Sequence, residues 1–175
     1  MAMASQSPLG GSLVGLEETP VGQTKAQFLE CLRLIERLHR RLLDIVKMRL
    51  DETGRTDINS VQALLLYNIS DNEMTAGELR SRGYYLGSNV SYNLKKLVEM
   101  GYIEHERSSH DRRSVRIRLS AQGRDVSALV AGLFDEQLDM ITAGAHMKGE
   151  ELRQMRDALR GLERFWTEQI SYATL

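Results

Sequence analysis

Two stretches in the middle of the chain carry polar and cationic side chains at spacings that suit the grooves of a nucleic-acid duplex. Ser88, Asn89, Tyr92, Lys95 and Lys96 recur at helical intervals and so share one face of a helix. Such groups reach base edges or phosphates in a major groove, where each base pair shows a distinct donor and acceptor pattern. The opposite face holds Val90, Leu94, Leu97 and Val98, an apolar set suited to packing on a core. Taken alone, a polar helix face is most simply a solvated one. Here a second charged segment follows, Ser109-His110-Asp111-Arg112-Arg113, between two strand-like runs that include Arg107. Within residues 75–119 nine cations stand against five anions, a net +4, while the whole chain is −1 and the remainder therefore carries −5. A basic module on an acidic body is the electrostatic footprint of a DNA reader.

The elements around these residues follow from periodicity. Thr75 and Glu78 have capping-box spacing and open a short helix that ends near Gly83. A further helix spans about residues 88–100 and stops at Gly101, a residue type suited to a left-handed cap. The period then changes to two: Val115, Ile117 and Leu119 alternate with polar neighbours over 114–119, and 102–108 reads as the preceding strand. A helix-turn-helix followed at once by a hairpin is the winged-helix arrangement. Upstream, a capping box at Thr24 and Gln27 predicts the start of a helix to about residue 50, and a second helix covers about 59–69. The first would be roughly 40 Å long and needs a partner, from within the chain or from a second copy. Downstream, Ser120 caps a helix, and after the Gly144 break another starts near Gly149, with Leu152, Met155, Leu159, Leu162, Trp166 and Ile170 at helical spacing. The fold class expected is mainly α with a small β-hairpin wing.

Composition sets bounds on function. With 175 residues, 42% hydrophobic, the chain can bury its own core. The net charge of −1 excludes a uniformly basic coat, so a nucleic-acid site must be a local patch. Residues 1–22, rich in Gly and Ser, read as a flexible arm, and they lack the basic and apolar pattern of a signal peptide. No apolar run suffices for a membrane span, so the expected setting is cytoplasmic.

The run Asp111-Arg112-Arg113-Ser114, the strand after it, and Leu119-Ser120-Ala121-Gln122-Gly123 together resemble the wing and exit of MarR-family transcriptional regulators. The resemblance extends in element order over about residues 24–170 and is sharpest over 75–123. Residues 79–89, Leu79 to Asn89, are similar to the LdtR-type subgroup. The resemblance implies a homodimer in which helices at 23–50 and 120–172 interlock, while lobes at 59–119 straddle a pseudo-palindromic duplex. It implies that Arg113 enters the minor groove, with Asp111 holding it by a charge-assisted bond, and that Arg107 and Arg112 of the wing join the DNA-binding set. It further implies a repressor released by a small-molecule effector, often aromatic; Met48, Leu65 and Asn68 are the lining expected for that site. No cofactor is implied.

Other chemistry has little support. Cys31, the only cysteine, lies in the apolar stripe of the first helix, where a buried structural thiol is the commoner state and a redox sensor the alternative. His39, His105, His110 and His146 lack ligand spacing, so no metal site is expected. No phosphate loop, nucleophile elbow or catalytic carboxylate pair stands out, which argues against an enzyme. The competing reading is a winged-helix module that binds protein; that form would lack a basic wing.

Overall fold

A computed structural model describes residues 20–69, 74–75, 87–107, 115–144 and 146–173, with the backbone alone at 20, 74–75, 87–90, 105–107 and 115–116. Helix α1 spans Pro20–Glu52. It begins four residues before Thr24, so the Thr24–Gln27 spacing lies inside the helix and does not start it. Pro20 suits the first helical position, where its missing N–H costs nothing. At the other end Gly54 takes φ 70°, and the Arg55 amide donates to the Leu50 carbonyl at 2.8 Å. Helix α2 spans Ser60–Ile69. Its start is a reciprocal capping box: the Gln62 amide donates to Asn59 Oδ1 at 2.9 Å, and the Asn59 amide donates to Gln62 Oε1 at 3.1 Å. Ser60 Oγ donates to the Leu43 carbonyl and ties α2 to α1.

Strand β1 is Met74–Thr75, helix α3 Gly87–Glu99, strand β2 Ile103–Arg107 and strand β3 Val115–Leu119. The sheet has three strands in the order β1-β3-β2, all antiparallel neighbours, rather than the two of a simple hairpin. Thr75 pairs with Arg116 and Met74 with Ile117. Two residues are too few for alternation to signal a strand, which is why the sequence pattern leaves β1 out. Ile103, Ile117 and Leu119 form the buried face of the sheet.

Helices α4, Ala121–Ala143, and α5, Gly149–Ala173, complete the chain. The junction into α4 gives the Leu-Ser-x-x-Gly run a physical meaning. Leu119 is buried, and Ser120 Oγ accepts from the Gly123 amide at 3.1 Å as the N-cap. The Ser120 amide and hydroxyl both donate to the Tyr102 carbonyl. Gly123 lies so close to that carbonyl that an added Cβ would stand 2.1 Å from its oxygen.

One core unites the end of α1 (Val46, Leu50), nearly all of α2, Leu94 and Leu97 of α3, the sheet, and Val126, Val130 and Leu133 of α4. Tyr67 of α2 meets Phe134 of α4 edge to face, with centroids 5.1 Å apart. Arg49 of α1 makes a two-point pair with Glu136 of α4. By contrast α5 has no buried residue, although Met155, Leu159, Phe165, Trp166 and Ile170 lie along it.

Candidate nucleic-acid interface

Helix α3 is oriented by what it buries. Leu97 is fully enclosed and Leu94 nearly so, and Val98 packs beside them. The other side is thereby turned outward: Tyr92 is 62% exposed, Lys95 is exposed and Lys96 half-exposed. Ser88 and Asn89 fall in the first turn of the same helix. Gly101, at φ 79°, ends this segment and lets the Tyr102 amide donate to the Leu97 carbonyl at 2.8 Å, which leads the chain straight into β2. Tyr102 is wholly buried, and its hydroxyl donates to Asp57 in the loop between α1 and α2 at 2.7 Å. Desolvation, with the Asp57 carboxylate adding to it, raises the Tyr102 hydroxyl above its ordinary value. One side chain thus joins the base of the wing to the connection from α1.

The hairpin β2–β3 stands directly after α3. Its backbone register sets Glu104 opposite Arg118 and Glu106 opposite Arg116, and Arg118 closes on Glu104 at 2.8 Å. Arg107, at the end of β2, faces Val115. Asp111, Arg112 and Arg113 lie outside the described residues, as do Arg80 and Arg82.

Geometry therefore redistributes the charge counted along the sequence. Arg118 is matched by Glu104, and Arg116 stands opposite Glu106. Lys96 holds Glu99 at 2.8 Å, and Lys95 stands 3.9 Å from the same carboxylate. The Glu99 hydrogen bond raises Lys96, and Lys96 in turn lowers Glu99. These pairs leave one unit of positive charge on α3, and the remaining +3 of the +4 counted over 75–119 lies on residues whose side chains are outside the described ones. Sequence reasoning counted Glu99 only as one of the five anions, although its i+3 and i+4 spacing from the lysines was there to be read.

The three residues of the expected effector lining differ in exposure. Leu65 is 1% exposed, inside the core among α1, α2 and α4, so a ligand could reach it only by displacing core side chains; its role is packing. Met48 is exposed and Asn68 half-buried. An open groove of about 810 Å³ lies elsewhere, between Ile35 of α1 and the Leu152, Met155, Leu159 and Trp166 stripe of α5. Cys31 is exposed rather than buried, because no described element covers that stretch of α1. His39 and His146 are exposed, and among the described residues no group of His, Cys, Asp or Glu is placed to hold a metal. No described helix is long and apolar enough to cross a membrane.

Residues 58–123 match the family model of a winged helix DNA-binding domain. The exopolysaccharide II synthesis transcriptional activator ExpG of Rhizobium meliloti is 43% identical over 101 residues, which cover 58% of this chain and 52% of that protein. The match thus spans about half the length of the curated relative. The backbone is similar to that of Streptococcus pneumoniae FabT in complex with DNA: TM-score 0.66, 23% identity, 81% of this chain and 99% of the other covered. It is equally similar to that of Staphylococcus aureus MarR in complex with salicylate and kanamycin: TM-score 0.66, 17% identity, 86% and 99% covered.

Proposed function

We propose that the chain, whose residues 58–123 match a winged helix DNA-binding domain and whose fold is similar to that of FabT and MarR, is a sequence-specific regulator of transcription acting on double-stranded DNA as a homodimer. The observation that carries the reading is α3, which buries Leu94 and Leu97 and turns Tyr92 and Lys95 outward beside a hairpin wing. In this reading Ser88, Asn89, Tyr92, Lys95 and Lys96 enter a major groove. Arg107, Arg112 and Arg113 follow the adjacent backbone and minor groove, with Asp111 steadying Arg113. Two copies place two half-sites about one helical turn apart, roughly 10 base pairs centre to centre. The setting is the cytoplasm, where the DNA is.

The exposed apolar stripes of α1 and α5 support the dimer. Regulation by a small molecule, an aromatic acid by preference, requires a ligand that favours a dimer whose lobes are misplaced for DNA. A coupling of about 1–3 kcal/mol would lower affinity ~5–150-fold. Met48 and Asn68 remain the side chains proposed to border that site. Repression relieved by the ligand is the primary reading. The likeness to an activator of exopolysaccharide synthesis favours a second, activation.

Gel shifts with genomic fragments at two salt concentrations test the reading, followed by selection of the bound sequence and transcription from the neighbouring promoter. Selective, salt-dependent shifts are expected. Absence of any shift would leave the protein-binding module as the better account, and transcript that rises with added protein would favour activation over repression.

A further inference from the structure

We propose that Glu99 is a specificity-determining residue: its carboxylate, shared by Lys95 and Lys96 on the outward side of α3, acts as a brake on sequence-independent DNA binding. The inference rests on the DNA-binding reading above. Glu99 is the last residue of α3. A carboxylate there meets the negative end of the helix dipole, so helix stability alone disfavours it. What it gains is the pair of lysines, Lys96 at 2.8 Å and Lys95 at 3.9 Å. Tyr92, one turn before Lys96, is exposed on the same helix. The lysines are 77% and 45% open to solvent and Glu99 46%, so these pairs are weak enough to exchange when phosphate arrives. Two ammonium groups and one carboxylate leave a single unit of positive charge where the sequence alone shows two lysines.

That deficit acts unequally on the two kinds of binding. Affinity for arbitrary DNA is nearly all electrostatic, and a protein free to shift along the duplex brings every available lysine to a phosphate. At an operator the base contacts set the register. A lysine released from Glu99 then gains only where the groove already places a phosphate within reach. Glu99 therefore lowers affinity for arbitrary DNA more than affinity for the operator.

Salt titrations of the full chain against the selected operator and a scrambled duplex test this. Glu99→Gln keeps the side-chain shape and removes the charge. It should tighten binding to the scrambled duplex by roughly fivefold at low salt and steepen its dependence of log affinity on log salt by about 0.9 per protomer. The operator should gain less, so the ratio of the two affinities falls. Adding Lys96→Gln to Glu99→Gln should return the slope to that of the wild type. Asp135→Asn, which removes the same charge from an exposed position on α4, should leave the ratio unchanged. The inference is overturned by an unchanged slope in Glu99→Gln, by equal gains on both duplexes, by weaker operator binding, or by the same fall in ratio in Asp135→Asn. A wild type that binds neither duplex overturns the DNA-binding reading and this inference with it. A wild type that selects its operator with the same slope as Glu99→Gln overturns this inference alone.

Discussion

In the proposed reading Asn89 and Arg113 make two different kinds of contact, so their substitutions should separate. Asn89 lies in the first turn of α3, from which a side chain in a major groove can bond a base edge. Asn89→Ala should relax preference at one or two positions of each half-site, with about 1–3 kcal/mol of discrimination lost if the contact is bidentate. Arg113 is proposed as a wing cation in the adjacent minor groove, where the contact is chiefly electrostatic. Arg113→Ala should weaken binding to all duplexes and flatten the salt slope by about one unit per phosphate relieved. The measurement is a salt titration of both variants on matched and scrambled duplexes. An unchanged slope for Arg113→Ala would remove the wing from the DNA interface.

The junctions between elements set where the reading helix and the wing stand. Gly123 in the first turn of α4 approaches the Tyr102 carbonyl so closely that a methyl group would meet its oxygen at 2.1 Å. Because the obstacle is backbone, Gly123→Ala must shift β2 against α4, and it should cost about 1–3 kcal/mol or more in a denaturant melt. A variant as stable as wild type would mean that the junction yields freely. The bond between α1 and α4 has its own signature in pH. Arg49, through its hydrogen bond, holds the Glu136 carboxyl below its ordinary value of 4.5. A carboxyl lowered by folding contributes stability that is full above the unfolded value and fades as pH falls through the folded one. Glu136→Gln should therefore lower the melting temperature near neutrality and lose less than wild type on acidification below about pH 4.5. Glu136 is 57% exposed, so the effect should be small; parallel acid limbs for the two proteins would count against it.

At the scale of the molecule, the lobe core ends where the long helices leave it. Leu38 is 59% exposed and Trp166 40% exposed, and no residue of α5 is buried in one protomer. Apolar stripes of this extent need cover, and obligate interfaces typically bury ~2,000 Å² or more. Light scattering at low micromolar concentration should give twice the chain mass. Leu38→Glu should shift the species toward monomer and lower the melting temperature, since none of the described residues of one protomer buries Leu38. A wild-type monomer that melts cooperatively would refute the architecture.

Much of this protein is local in origin and legible in the sequence. The 3.6-residue stripe of α3, the stop at Gly101, the alternation of β3 and the Ser120 cap each depend on residues a few positions apart, so periodicity and capping chemistry suffice to place them. Other features needed the chain to fold back on itself. Strand β1 exists because Met74 and Thr75 meet Ile117 and Arg116, some 40 residues away. Leu65 reads as a possible ligand contact, yet α2 is apolar nearly all round, and only its burial among α1, β3 and α4 makes every such residue core. Cys31 shows the converse: a stripe says which face of α1 wants cover, and the described residues supply none there. The largest revision is electrostatic. Coulomb energy depends on distance: the two lysines meet Glu99 by i+3 and i+4 spacing within one helix, but only the register of β2 on β3 brings Arg118 to Glu104.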